Sequence, residues 1–343
     1  MVKVSVIIPC RNEAQYIGHC LDSVLKNDYP HNELEIFVID GKSEDMTQKI
    51  VRGYSNKFPF IKLLENPKKF VPFALNLGIQ HAKGEIIIRM DAHARYPVNY
   101  ISTLVYYLEY LKCDNVGGLW ETLPGANSRI AKTIAKATSL PFGIGHAWYR
   151  IGTNKIRQVD TVPFGCFHRD LFRKIGMFDE ELVRNQDDEF NARIIKHGGK
   201  IYLIPSIKIG YYARESIAKM AKMFFQYGFY KPLVNYKIGK PSSVRQLVPL
   251  AFILYILSAA IYTVLAPSFA IKAFGLFFIY LIISELYSIW ISLKEKEMTF
   301  LFLLPLVFLL IHLSYGSGYI AGIFRFFLKS CNNSSLLVKN VRS

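Results

Sequence analysis

The sequence predicts an α/β domain built on a mostly parallel sheet, followed by helices that cross a membrane. Short β-branched runs alternate with helical stretches from Val4 to Asp91, acidic or amide residues sit just past several of those runs, and long apolar blocks are confined to the region after residue 246. The chain has 343 residues, 51% hydrophobic and 20% charged, with a net charge of +16. That balance excludes a disordered or collagen-like chain, and the length suits a large domain with an appendage.

Val4–Pro9 is a β-branched run closed by proline and reads as a buried strand. Its apolar stretch is too short for a secretory leader, so the first domain is expected to stay cytosolic. Asn12-Glu13 opens a helical stretch reaching Leu25, and Leu34–Ile39 is the next strand, ending at Asp40-Gly41. Ser43 to Tyr54 is helical, with Ser43 as N-cap and Asp45 in the first turn. Ile61–Leu64 is a third strand, Pro72–Ala82 a helix stopped at Gly84, and Glu85–Met90 a fourth strand ending at Asp91. Beyond Gly117 the pattern is less regular. Thr161–Phe167 reads as a strand, Asp170–Ile175 and Asn185–His197 as helices, and Ile201–Ile209 as a strand.

Three apolar blocks follow. Leu247–Ala266 has no charge, Ala273–Leu293 is broken only by Glu285, and Met298–Phe324 has no formal charge but contains His312, Pro305 and three glycines. Each is long enough for a hydrocarbon core of about 30 Å. Residues 1–213 hold 28 Lys+Arg against 22 Asp+Glu, net +6, whereas residues 214–343 hold 14 against 4, net +10. The basic residues of the second part flank apolar blocks instead of forming a polar face with interleaved aromatics, so a nucleic-acid partner is not expected. Lys231, Lys237, Lys240 and Arg245 precede the first block, and Lys294-Glu295-Lys296-Glu297 follows the second. The positive-inside rule places both in the cytosol of a multi-pass plasma-membrane protein. The expected division is a catalytic domain over 1–213, an interfacial linker over 214–246, two or three spans over 247–328, and a basic tail over 329–343. A third full crossing exports that tail; the alternative is that the Gly-rich third block folds back. The five cysteines are widely spaced and form no C-x-x-C pair, as expected of reduced thiols.

Several residue groups suit chemistry. Ligands in open α/β sheets bind beyond the carboxyl ends of the strands. Asp91-Ala92-His93 puts a carboxylate and an imidazole at such an end, where both can bind one divalent cation. Asp40 ends another strand and can accept hydrogen bonds from a base or ribose. Gln186-Asp187-Asp188-Glu189 places three carboxylates at a helix start, more than the helix dipole requires. One facing a cleft can deprotonate a hydroxyl, and Arg193 on the same helix can orient a neighbouring acid. Neither G-x-G-x-x-G nor G-x-x-x-x-G-K-[ST] occurs, which removes the main support for a dinucleotide oxidoreductase or a P-loop NTPase.

The segments Ile8-Pro9-Cys10-Arg11-Asn12-Glu13, Asp40 to Thr47, Ala74–Gly84, Asp91-Ala92-His93 and Gln186-Asp187 occur in order. Together they resemble the family-2 inverting glycosyltransferases of GT-A fold, and among these the membrane-anchored bacterial exopolysaccharide type that includes succinoglycan enzymes. The resemblance covers roughly residues 3–232. It implies that Pro9, Asn12 and Glu13 form the first nucleotide-contacting loop, that Asp40 contacts the base with Asp45 in the same motif, and that Asn76 belongs to the donor-binding set. Asp91 matches the first acid of the D-x-D metal motif and His93 stands where the second is usual, so the implied cofactor is Mn²⁺ or Mg²⁺. Asp187, six residues before Arg193, matches the catalytic base, with Asp188 as its rival. Gln226, Tyr227, Gly228 and Lys231 resemble an abbreviated Q-x-x-R-W element lacking its Trp, which favours transfer of one hexose-like sugar over polymerisation. The implied partners are a nucleotide-diphospho-sugar donor and a membrane-associated acceptor such as a polyprenyl-diphosphate-linked glycan. The alternatives are a polyprenyl-phosphate or glycolipid glycosyltransferase, and a non-catalytic membrane component that retains a nucleotide-binding fold.

Overall fold

A computed structural model describes residues 3–241 and 243–328; the basic tail at 329–343, with Cys331, lies outside the described residues. The elements run β1 (Val4–Cys10), α1 (Ile17–Leu25), β2 (Leu34–Asp40), α2 (Thr47–Lys57), β3 (Ile61–Glu65), α3 (Val71–His81), β4 (Ile86–Arg89), β5 (Ala94–Arg95), α4 (Tyr100–Tyr110) and β6 (Asn115–Leu123). They continue with α5 (Arg129–Ala137), α6 (Pro141–Ile144), α7 (Trp148–Ile151), β7 (Arg157–Gln158), β8 (Cys166–His168), α8 (Arg169–Ile175), α9 (Gln186–Lys196) and β9 (Ile201–Tyr212). The helices α10 (Ile217–Ile238), α11 (Val248–Leu265), α12 (Ala270–Ala273), α13 (Gly275–Glu295) and α14 (Thr299–Ile323) complete the described chain.

Two compact units form. The first takes the chain up to Thr122 together with Trp148–Tyr212; the second takes Leu123–Ala147 and the chain from Ala213 onward.

In the first unit one sheet has the order β3-β2-β1-β4-β8-β6-β9-β5, with β7 beside β9. The strands β3, β2, β1 and β4 are mutually parallel, as the βαβ alternation predicts. Beyond β4 the sheet changes character: β8 runs antiparallel to both β4 and β6, and β5 and β7 are antiparallel to β9. The strands β1, β2 and β4 are buried on both faces, which explains their nearly unbroken apolar runs, while β3 lies at the edge and is partly exposed. Alternate side chains serve opposite faces. Val4, Val6 and Ile8 pack with Ile17, Leu21, Tyr100 and Leu104 on one side. Ile7, Phe37 and Ile39 pack with Leu75, Ile79, Phe178 and Phe190 on the other.

Several local expectations are corrected. Ser43 does not cap a helix: α2 begins at Thr47 after Met46, and Asp45 precedes the helix, accepting from the Thr47 N–H and hydroxyl. The Asn12-Glu13 segment is a loop, because Asn12 adopts a left-handed backbone (φ 55°), and α1 begins only at Ile17. Of the expected strand Thr161–Phe167 only its end pairs, as part of β8. The buried cysteines Cys10, Cys20, Cys113 and Cys166 are free thiols, as the spacing predicts.

In the second unit Val244–Leu265, Pro267–Glu295 and Thr299–Phe327 are each long and apolar enough to cross a membrane. The third block does not fold back: α14 is one helix through Gly316, Gly318 and Gly322. The glycines are used for close approach. A Cβ at Gly318 or Gly322 would overlap the carbonyl of Phe225 or Phe229 on α10, and one at Gly228 would overlap Tyr315 on α14. Replacing Gly322 by Val is therefore expected to destabilise the helical unit by about 2 kcal/mol. Thermal unfolding of the detergent-solubilised chain checks this; an unchanged midpoint would show that the two helices can separate freely.

Candidate active site

The carboxyl ends of β1, β2 and β4 and the first turn of α9 carry the polar residues singled out from the sequence, with Pro9 still within β1. Cys10 and Asp40 are register partners at the ends of β1 and β2. Asp40 is 1% exposed. Its Oδ1 accepts the Ser43 hydroxyl at 2.5 Å, and its Oδ2 accepts the Ser43 N–H at 3.0 Å and the Gln48 amide at 2.7 Å. A cavity of about 340 Å³ opens there, lined by Asp40, Gln48, Arg52, Ser55, Leu63, Leu64 and Glu65.

The loop after β1 is tied to the loop after β2. Asn12 donates its N–H to Ser43 Oγ and accepts from the Glu44 N–H with Oδ1, each at 2.8 Å. Glu13 donates its N–H to Thr47 Oγ1 at 2.8 Å, and Ala14 donates to Asp45 Oδ2 at 3.0 Å. Asp45 and Asn12 thus act together as loop braces. The left-handed turn at Asn12, which amide residues tolerate well, allows this geometry.

Arg89 ends β4, and Asp91 follows it. Asp91 is gripped at its backbone by Tyr96, whose hydroxyl accepts the Asp91 N–H at 2.6 Å and donates to its carbonyl at 3.1 Å. Burial pushes the Tyr96 hydroxyl well above its usual pKa, so it remains a donor. Arg89 Nη2 donates to Asp91 Oδ1 at 3.0 Å, while Nη1 pairs with Asp187 Oδ1. The carboxyl of Asp187 is raised above its ordinary pKa because burial outweighs the attraction of Arg89, with Asp91 and Asp188 adding repulsion. About a third of the Asp187 side chain (32%) still meets solvent, so water screens part of that penalty.

His93 Nδ1 lies 3.1 Å from Glu13 Oε1. A carboxylate on one ring nitrogen is the usual brace for a histidine that binds metal through the other. Asp91 and His93 offer one carboxylate and one imidazole just past β4, and Arg89 engages Oδ1 of Asp91. Among the described residues no group of three or more His, Cys, Asp and Glu side chains gathers, so a cation there needs further oxygens from a bound ligand or water.

Other expected residues have different surroundings. Asp188 Oδ1 meets the Thr161 hydroxyl at 3.5 Å. Asn76 holds Phe178 through both ends of its amide, with Nδ2 also on Glu180. The neighbouring acid that Arg193 engages is Glu189, and its guanidinium also donates to the carbonyls of Ile175 and Met177. Gln226 and Lys231 lie on α10 in the second unit. Sequence reasoning overlooked Arg89, although a cation inside an apolar strand two residues before an acid was a readable signal, because the period of two points both the same way. It also overlooked a stack beyond His93. The Tyr211 ring lies 5.9 Å from that imidazole and 3.8 Å from Trp120, and the Arg150 guanidinium lies 4.3 Å from Trp120.

The model for Glycosyl transferase family 2 matches residues 5–175. The chain is 29% identical over 332 residues to the dolichyl N-acetyl-alpha-D-glucosaminyl phosphate 3-beta-D-2,3-diacetamido-2,3-dideoxy-beta-D-glucuronosyltransferase of Methanococcus voltae, covering 94% of this chain and 97% of that one. It is 27% identical to the succinoglycan biosynthesis protein ExoA of Rhizobium meliloti, over 72% of this chain and 74% of that one. The fold is similar to that of the mannosyltransferase PcManGT of Pyrobaculum calidifontis, solved with GDP-Man and Mn²⁺: TM-score 0.58, 20% identity, covering 91% of this chain and 86% of that one. The chain carries a glycosyl transferase family 2 domain on a GT-A-like fold and is a glycosyltransferase of that family.

Proposed function

We propose that the protein is an inverting hexosyltransferase that moves one sugar from a nucleotide-diphospho-sugar to a hydroxyl of a lipid-linked glycan. The observation that carries this is the placement of three acids with separate surroundings: Asp40 beside a cavity after β2, Asp91 after β4, and Asp187 at the start of α9, the last two sharing Arg89. Asp40 receives the base or ribose, and the loop from Pro9 through Asn12 and Glu13 to Asp45 lines the nucleotide. Asp91 and His93 would hold Mn²⁺ or Mg²⁺, which when bound would supply positive charge to the departing diphosphate. Asp187 accepts the proton of the acceptor hydroxyl as its oxygen attacks the anomeric carbon from the face opposite the diphosphate. The C1–O bond to the diphosphate breaks as the new glycosidic bond forms, so the anomeric configuration inverts.

Asp187 is preferred to Asp188 as the base because it is the acid that shares a guanidinium with Asp91. Gln226 and Lys231 are assigned to the donor by motif position alone. Support for the donor class comes from the structural neighbour PcManGT, solved with GDP-Man. Support for a lipid-linked acceptor comes from the dolichyl phosphate sugar in the name of the Methanococcus relative and from the three apolar helices. That name also favours a monophosphate link over the diphosphate link of polyprenyl-diphosphate glycans. The basic approach to the first helix and the Lys294–Glu297 turn orient the chain with its catalytic unit in the cytosol of the plasma membrane.

Calorimetric titration with UDP-GlcNAc, GDP-mannose and dTDP-glucose in the presence of Mn²⁺ is the direct test. One nucleotide class is expected to bind, and more weakly to Asp40→Ala. Binding of none would overturn the donor assignment. Offering polyprenyl-monophosphate and polyprenyl-diphosphate N-acetylglucosamine side by side then separates the two acceptor forms.

A further inference from the structure

The other residues of β4, Ile86, Ile87 and Ile88, are apolar and buried, yet Arg89 continues the same strand at only 6% exposure. Burying a guanidinium costs several kcal/mol unless good partners repay it, and an apolar side chain would satisfy the packing at less cost. The partners found are not local. One Nη reaches Asp91, two residues on; the other reaches Asp187, 98 residues away in sequence on α9. The Phe164 ring lies 5.7 Å from the guanidinium carbon, and Nε is buried with no hydrogen-bond partner among the described residues. The two terminal nitrogens of the fork are directed at two different carboxylates, while the third nitrogen, Nε, is buried without a hydrogen bond among the described residues.

We infer that Arg89 is a positioning residue for transfer, setting the separation and orientation of the carboxylate at the donor diphosphate and the carboxylate that takes the acceptor proton. The inference rests on the roles proposed above for Asp91 and Asp187. Tying Oδ1 of Asp187 removes rotation about its carboxyl and leaves Oδ2 as the proton acceptor. Tying Oδ1 of Asp91 to the same guanidinium relates that acceptor to the place where the diphosphate departs. Misplacement of a reacting group by about 1 Å costs on the order of 100-fold in rate. An ammonium cannot replace this arrangement, because it lacks the planar fork that spans two carboxylates.

Arg89→Lys in the full detergent-solubilised chain tests the inference through two readouts: the donor dissociation constant and kcat. The donor is whichever of UDP-GlcNAc, GDP-mannose or dTDP-glucose binds the unaltered protein, and the acceptor is polyprenyl-phosphate N-acetylglucosamine. The expected result is a fall of about 100-fold in kcat with donor affinity kept within about threefold, because Asp40 is untouched and Tyr96 still holds the Asp91 backbone while the angle between the two carboxylates is lost. Unaltered kcat, or equal losses in affinity and kcat, would overturn it, since a merely structural role moves both together. Asp187→Asn run in parallel separates the two ideas. Normal turnover in Asp187→Asn overturns the base assignment and the inference with it; loss there with normal turnover in Arg89→Lys overturns the role of Arg89 alone. Should Arg89→Lys not fold, Arg89→Gln, which keeps one donating nitrogen without the charge, carries the same readouts and the same expectation.

Discussion

Asp187→Asn is expected to lower kcat by about 10²- to 10⁴-fold while leaving donor binding nearly intact, the range of loss when a general base is removed. Asn keeps the shape of the side chain and can still meet Arg89 through its carbonyl, and Asp91 still neutralises that guanidinium. The loss should therefore appear in turnover and not in the melting temperature. Asp188→Asn, whose carboxylate meets Thr161, is the internal control and should retain most activity. The reverse pattern would move the base assignment to Asp188. A pH profile adds a second check. A general base works only when ionised, so activity is present at high pH and is lost as pH falls through its pKa. Because burial raises the Asp187 carboxyl, that loss should set in above the ordinary carboxylate range.

Asp91→Ala has the second largest expected effect, on binding. Without this carboxylate the stimulation of donor binding by Mn²⁺ should disappear, with affinity falling about 100-fold in its presence and little in its absence. Titrations with and without the ion, on both proteins, give the comparison. Identical stimulation in the two would remove Asp91 from the metal role. His93→Ala should weaken the same effect less, and Glu13→Gln less again, since Glu13 acts only through the imidazole it braces.

How much of this was readable in the chain can be judged residue by residue. The parallel half of the sheet was legible because β1, β2 and β4 are buried on both faces and so appear as continuous apolar runs. The acids that end or follow β2 and β4 were legible because a charge immediately after such a run has few structural reasons to be there. The antiparallel half was legible only in part: Ile201–Ile209 falls within β9, whereas β5, β7 and β8 are two or three residues long, too short to show a period of two. The pairing of Arg193 with a neighbouring acid was legible because Glu189 stands four residues before it on the helix, whereas its bonds to the end of α8 were not.

The sequence by itself determined the fold class, the family resemblance and the apolar helices, because each is a regular pattern that local chemistry imposes on neighbouring residues. Tertiary structure alone decided that Arg89 joins Asp91 to Asp187, that Glu13 braces His93, and that the glycines of α14 seat it against α10. The physical reason is the same in each case. A hydrogen bond between residues 80 or 98 positions apart depends on how strands and helices meet in space, which no local pattern encodes.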